Sequence, residues 1–248
     1  IYYMYKGNSK LKPNFRGFKF NKRILKEIYN VGLPASVGQV GASIGFMALN
    51  GFIVSYGSAT MAAFGMVNRV TNLVMQPAMG VGAALTAVIG QNLGANQQKR
   101  AHESFSTASK ISLFIGILGC IFIIVFNKEI VNFFIRSDDD PQVISESINY
   151  MKFVAFSMPL MGMFSVFQGI FQGSGNTRYS MAMEIGRLWF VRLPMILIFK
   201  HFTNFGSSGI WFAMSFSNLI VCIYGYVVYK KKGLTINKID NGQLTMDN

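Results

Sequence analysis

Three ionisable residues lie close together inside an apolar stretch of the sequence, where charge is costly. Glu184 and Arg187 are three residues apart, a spacing that makes them neighbours on one helical face. At about 100° per residue, Arg192 projects about 80° to the other side of Glu184, so the acid lies between two cations in projection. Such a set can form a structural ion pair near the cytoplasmic interface, or it can line a cavity and contact a substrate. The residues alone leave both interpretations open.

Uncharged polar side chains inside the other apolar stretches form a second group of candidates. Amides between membrane helices usually make structural hydrogen bonds, although they can also contact a substrate. Arg69 has a further alternative, because it lies near the start of a long helix and its side chain can reach the outer headgroups. The group consists of Asn50, Asn68, Arg69, Gln76, Gln168 and Gln172.

The residue types needed for catalysis or metal binding are not grouped in this sequence. His102 and His201 lie in different loops beside other basic residues, and Cys120 and Cys222 lie inside apolar stretches as small hydrophobic side chains. The sequence contains no His, Cys and carboxylate cluster with metal-ligand spacing and no Ser-His-Asp or Cys-His arrangement. We therefore predict a protein that is not an enzyme and that holds no metal or organic cofactor.

The elements that position these polar residues are predicted to be membrane-spanning helices. Hydrophobic residues make up 51% of the 248 residues and charged residues 13%, whereas soluble domains usually carry about 25% charged residues. Long stretches carry almost no charge, and each has the roughly 20 residues needed to cross the hydrocarbon core. The sequence predicts an all-α polytopic bundle of six membrane helices, at 28–56, 59–90, 105–126, 144–173, 179–200 and 210–229.

The net charge of +13 comes from Lys and Arg that gather at the ends of these stretches. With Lys6–Lys26 placed in the cytoplasm, sixteen Lys and Arg fall on the inner side, three on the outer side and four within spans, which accounts for all 23. Because cytoplasmic loops hold such an excess, both ends of the chain are predicted to be cytoplasmic. Nucleic acid is not expected as a partner, because the basic residues do not form one face of a soluble fold.

Three parts are expected along the chain. Residues 1–27 combine the aromatic, interfacial end of a preceding helix with a basic cytoplasmic loop that suits contact with anionic lipid. Residues 28–232 form the six-helix transmembrane lobe, and residues 233–248 form a polar cytoplasmic tail. A start at the end of a helix, without an initiator Met, indicates a fragment of a longer protein.

Four motifs in register resemble the second half of the multidrug and toxic compound extrusion (MATE) family from end to end. The resemblance implies one six-helix lobe, the C-terminal one, of a two-lobed transporter with twelve helices in the plasma membrane. It also implies export of drugs and organic cations in exchange for H⁺ or Na⁺, with the other lobe, lipids and small cationic molecules as partners. The motifs are Gly32-Leu-Pro34-Ala, ATMAAFGMVNR at Ala59–Arg69, Gly90-Gln-Asn-Leu-Gly-Ala95 and Phe171-Gln-Gly-Ser-Gly-Asn-Thr177.

Two alternatives to a coupled exporter stay open. The superfamily that the resemblance points to also contains flippases for lipid-linked substrates, which need a wide cationic cavity, and cations outnumber acids within the predicted spans. A truncated membrane remnant without transport activity is the other alternative. Some family members carry a carboxylate in the first helix of this lobe, but no Asp or Glu occurs between Ile28 and Tyr56. The coupling ion is therefore not assigned to this half.

Overall fold

The computed structural model of the chain describes residues 20–134, 141–203 and 205–232. Within these ranges the regular structure is helical and contains no strand, which confirms the predicted all-α class. The elements are α1 (Lys22–Val54), α2 (Ser58–Gly94), α3 (Gln98–Val125), α4 (Asn127–Phe134), α5 (Pro141–Gly173), α6 (Thr177–Ile185), a π-helical segment (Gly186–Arg192), α7 (Leu193–Phe202) and α8 (Ser207–Lys232).

Five of these helices, α1, α2, α3, α5 and α8, are long and apolar enough to cross a membrane, with 26 to 37 residues each. The remaining predicted span, 179–200, corresponds to α6, the π-helical segment and α7, which follow one another without a gap. These three pieces have 9, 7 and 10 residues, so none of them crosses alone. The predicted bundle of six spans is confirmed, with one span interrupted by π-helical geometry.

Several helix ends extend beyond the predicted spans, among them the start of α1 and the end of α8. α1 begins at Lys22, because the Asn21 side chain accepts hydrogen bonds from the backbone N–H of Arg23 at 3.0 Å and of Ile24 at 3.4 Å. α8 continues through the basic residues to Lys232. The expected interfacial start, most of the basic loop and the polar tail lie outside the described residues and stay predictions.

Glycines bring α5 into close contact with α2 and α3. A Cβ built on Gly82 of α2 would lie 2.5 Å from the carbonyl oxygen of Ser165, and one on Gly116 of α3 would lie 2.6 Å from the Cα of Pro159. Only glycine, which has no side chain, allows the two backbones to approach this closely. Small residues are expected at such interfaces, because lipid supplies no hydrophobic drive for helices to associate.

α1 packs against α6 and the π-helical segment through glycines. A Cβ on Gly38 would lie 3.0 Å from the Cα of Met181, and one on Gly45 would lie 3.1 Å from the Cβ of Leu188. Near the other end of this contact, the Thr177 hydroxyl donates to the carbonyl of Val31 at 2.8 Å. The interrupted helix is therefore held against α1 over several turns.

Candidate functional site

A cavity of about 310 Å³ lies among α1, α2, α5, the π-helical segment and α8. Its volume falls in the range of small-molecule sites, and its lining combines aromatic rings with polar groups, as such sites usually do. Four of the predicted candidates line it, namely Asn50, Asn68, Arg187 and Arg192, and they are joined by residues that include Phe64, Asn72, Tyr150, Ser157, Ser215 and Asn218.

The two arginines face one cavity because of the π-helical segment. Hydrogen bonds of a π-helix join residues five apart, so residues at i and i+5 lie nearly above one another. Arg187 and Arg192 are five residues apart, and both belong to Gly186–Arg192. In α-helical geometry the same two residues would lie about 140° apart around the axis. Pro194 favours the wider turn, because its ring excludes the carbonyl of residue 190 from α-helical geometry and it has no N–H to donate.

Arg192 is only 3% exposed, and its partners are neutral. Its Nε donates to the Ser217 hydroxyl at 3.0 Å, and its Nη2 donates to the Met214 carbonyl and to Asn218 Oδ1, each at 3.3 Å. Within the described ranges, no carboxylate lies at ion-pair distance from this guanidinium. The expectation that Glu184 lies between both arginines is wrong for Arg192, because the π-helical turn changes its direction.

Glu184 belongs to a hydrogen-bonded network beside the cavity rather than to the cavity lining. Its Oε2 accepts from Arg187 Nη2 at 3.2 Å, and the two side chains are 19% and 11% exposed, respectively. Gln168 donates to Glu184 Oε1 at 3.3 Å, and Gln172 donates to the Ser180 hydroxyl at 3.2 Å. The Ser180 hydroxyl in turn donates to Gln168 Oε1, so the two predicted glutamines and Glu184 form one connected set.

The Arg187 guanidinium lies at the border between this network and the cavity. Its Cζ is 4.2 Å from the centre of the Phe164 ring, a cation–π arrangement. Its Nε is buried and has no hydrogen-bond partner among the described residues, and the same holds for Asn50 Oδ1 in the cavity lining. Buried polar atoms without a partner are costly, so a ligand that satisfies them gains free energy on binding.

The remaining two candidates lie elsewhere. Arg69 and Gln76 are exposed on α2 and belong neither to the cavity lining nor to the network. The position of Arg69 on the surface of the bundle suits the alternative in which its side chain reaches the headgroups.

Sequence reasoning missed two residues that shape the cavity, Tyr150 and Asn218. The Tyr150 hydroxyl donates to Asn68 Oδ1 at 3.2 Å, and its ring stacks on that of Trp211 with centroids 4.0 Å apart. Asn218 is a hydrogen-bond acceptor for Arg192. A signal for Asn218 was present, because it is an amide inside an apolar span, as Asn50 is. Nothing in the sequence distinguishes Tyr150 from the other aromatic residues.

The comparison with known families agrees with this fold and with the four motifs. The MatE family model matches residues 34–198, which cover α1 to most of α7. The probable multidrug resistance protein YoeA of Bacillus subtilis is 28% identical over 224 residues, which are 89% of this chain and 48% of that protein. The multidrug export protein MepA of Staphylococcus haemolyticus is 23% identical over 240 residues, which are 96% of this chain and 52% of that protein. The chain spans about half the length of these relatives.

Solved structures of transporters have the same fold as this chain. A MOP superfamily transporter from Pyrococcus furiosus superposes with a TM-score of 0.87 at 25% identity, over 93% of this chain and 52% of that one. In that protein, a reverse polarity of the binding pocket suggests a different function. Family match, relatives and fold coincide over the same helices, and the chain therefore belongs to the MATE family of membrane transporters.

Proposed function

We propose that the chain forms the C-terminal lobe of an ion-coupled antiporter that exports drugs, organic cations among them, in exchange for H⁺ or Na⁺. The observation that carries this proposal is the polar cavity inside a membrane bundle. Its lining takes polar side chains from α1, α2, α5, the π-helical segment and α8, although the burial of polar groups inside a membrane costs free energy. The family membership and the half-length match support the same proposal.

A second lobe completes the transport path in this proposal. Alternating access requires one bundle to move against another around a substrate site between them. A chain that matches about half of each relative supplies one of these bundles. The partners of the chain are then the N-terminal lobe, membrane lipids and small molecules. We expect both ends of the chain in the cytoplasm, which the Lys and Arg distribution supports, and a drug exporter in the plasma membrane.

The coupling ion is expected to bind in the other lobe. Glu184 lies beside the cavity and is paired with Arg187 at 3.2 Å. A proton or Na⁺ that bound Glu184 during each cycle would first have to displace this guanidinium. A carboxylate without a fixed cation beside it is a better site for an exchanging ion.

The test is drug export by the chain alone and by the transporter assembled from this chain and its N-terminal lobe. Vesicles with an imposed proton or Na⁺ gradient would be loaded with ethidium, and its movement followed by fluorescence. We expect gradient-driven transport by the assembled protein and none by residues 1–248 alone. Transport by the chain alone, in a monomeric state, would contradict the one-lobe proposal. An assembled protein without any transport would favour the membrane remnant.

A flippase for a lipid-linked substrate is the second candidate, and one observation favours it. The described cavity lining contains two arginines and no carboxylate, as expected for a site that receives phosphate groups. Movement of a fluorescent lipid pyrophosphate between the leaflets of a vesicle distinguishes the two candidates. A flippase would move this lipid and would not export ethidium.

A further inference from the structure

The cavity carries an excess of positive charge. Arg187 and Arg192 are the charged side chains of its described lining. Glu184 lies outside the lining and pairs with Arg187 alone. The Arg192 guanidinium thus has no opposite charge at ion-pair distance in the described part of the chain, and its hydrogen bonds go to neutral groups. A buried cation in low-dielectric surroundings strongly favours an anion nearby.

We propose that this cavity binds the anionic group of a substrate, a carboxylate or a phosphate, between Arg187 and Arg192. The inference rests on the proposed function, because it names the class of molecule that the transporter lobe receives. It departs from a site for simple organic cations, since a molecule with only positive charge meets two guanidinium groups here. Anionic and zwitterionic amphiphiles are the substrates that this lining fits.

The direction of the two side chains supports this site. The π-helical segment turns both arginines toward the same space, and a guanidinium presents planar N–H groups that match carboxylate and phosphate oxygens. The buried Nε of Arg187 has no partner among the described residues, so one N–H of that guanidinium is free to donate to an anion. Hydrogen bonds to Ser217 and Asn218 hold Arg192, which fixes its position before a ligand arrives.

Other parts of the lining suit the rest of such a molecule. Phe46 of the lining is 39% exposed and offers aromatic surface to an apolar body, whereas the buried rings of Phe64 and Tyr150 stack with centroids 5.9 Å apart. Asn50 Oδ1 is an unpaired buried acceptor, which fits an amide or ammonium N–H on the same molecule. The cavity of about 310 Å³ therefore accommodates a small amphiphile with an anionic end rather than an inorganic ion alone.

Binding is tested on the purified chain with four ligands that share one apolar body. They are 4-phenylbutyrate, 4-phenylbutyl phosphate, 4-phenylbutylamine and 4-phenylbutanol, and the readout is the melting temperature, which a ligand of the native state raises. We expect the carboxylate and the phosphate to raise it, and the amine and the alcohol to leave it unchanged. A strong preference for the phosphate points to a lipid-linked source, whereas equal binding or a preference for the carboxylate points to drug-like acids.

Variants then locate the site. Arg192→Gln and Arg187→Gln should each weaken binding of the anions about tenfold or more, because each removes a charged hydrogen-bond donor. Lys152→Gln removes a cation from an exposed position of α5 outside the lining and should leave binding unchanged. If Arg192→Gln does not fold, Arg192→Lys keeps the charge, loses the planar fork and should still bind more weakly. Glu184→Gln frees Arg187 and should strengthen anion binding.

The assembled transporter separates this inference from the proposed function. We expect gradient-driven transport of 4-phenylbutyrate or 4-phenylbutyl phosphate, and Arg192→Lys to weaken it. Gradient-driven export of ethidium without transport of either anion would overturn the inference and leave the proposed function intact. It would indicate that a carboxylate of the other lobe occupies the space between the arginines. Anion binding with the expected variant pattern, but without transport of any substrate, would sink the proposed function alone. Equal binding of all four ligands by the purified chain would also overturn the inference.

Discussion

Trp189 of the π-helical segment donates its indole N–H to the backbone carbonyl of Gly41 on α1, 2.9 Å away. The bond joins the irregular part of one membrane helix to the regular part of its neighbour. Gly41 permits this approach because it has no side chain, and a Cβ there would lie 3.0 Å from Ile185 Cγ1. The segment that carries both cavity arginines is thus connected to α1 by a polar contact as well as by packing.

Loss of this bond should destabilise the bundle slightly. Trp189→Phe keeps an aromatic ring but removes the donor, and hydrogen bonds between membrane helices contribute about 0.6 kcal/mol on average and at most about 1.7. We expect a loss of that size in the free energy of unfolding, measured in mixed micelles with a titrated denaturing detergent. Phe190→Leu is the control, since Phe190 is 78% exposed and should change little. An equal loss in both variants would show that the indole hydrogen bond contributes nothing.

Replacement of Glu184 by Gln should be costly for folding. The Glu184 and Arg187 side chains are 19% and 11% exposed, and removal of one partner of a buried ion pair typically costs about 3–5 kcal/mol. We expect the variant to lose a large part of its stability and to regain much of it when Arg187 is also replaced by Met. The measurement is unfolding of both variants, together with export by the assembled transporter. If Glu184→Gln alone has normal stability and normal export, both the structural role and the cavity role of Glu184 are contradicted.

Close packing between α2 and α5 gives a matched pair of variants. Gly82→Ala places a Cβ 2.5 Å from the carbonyl oxygen of Ser165, whereas Gly80→Ala, two residues away, meets nothing within 4 Å. Overpacking of this kind usually costs about 1–3 kcal/mol, and alanine is otherwise the better helix former. We expect a lower melting temperature for Gly82→Ala and an equal or higher one for Gly80→Ala. The opposite order would show that the two helices are farther apart.

Thiol labelling tests the orientation. In a background without Cys120 and Cys222, Ser58→Cys lies at the α1–α2 turn and Gln97→Cys at the α2–α3 turn, and both positions are exposed. The Lys and Arg distribution predicts that an impermeant maleimide added to intact cells labels Ser58→Cys and spares Gln97→Cys. The reverse pattern would overturn the predicted cytoplasmic location of both ends.

Tyr150→Phe removes one hydroxyl from the cavity and leaves its aromatic stack in place. Asn68 Oδ1 loses the donor that lies 3.2 Å away, while the ring can still stack on Trp211. A loss of about 1 kcal/mol in stability is expected for one hydrogen bond, with altered affinity for any ligand near Asn68. Tyr226→Phe, at an exposed position of α8, is the control. Identical behaviour of the two variants would place Asn68 outside the binding surface.

The sequence predicts well the features that depend on regular spacing. The six spans follow from the lengths of the apolar stretches, and the contact between Glu184 and Arg187 follows from a separation of three residues in a helix. The direction of Arg192 could not be predicted, because an α-helical projection fails where the backbone forms a π-helical segment. Pro194 was the available signal, but a proline alone does not indicate which hydrogen-bonding pattern precedes it. The cavity depends on five elements that are distant in sequence, so only some of its members could be recognised.

The π-helical segment also determines how this helix can change in length. An extra residue in an α-helix is commonly accommodated as a wider turn, so a deletion inside Gly186–Arg192 would tend to restore regular α-helix. After a deletion between Arg187 and Arg192 the two residues are four positions apart, and a regular α-helix holds them about 40° apart on one face. Relatives that are one residue shorter here would therefore keep both the fold and the two positive charges on one side of the helix. The wider turn thus absorbs a change in chain length without a change in the charge that the helix presents.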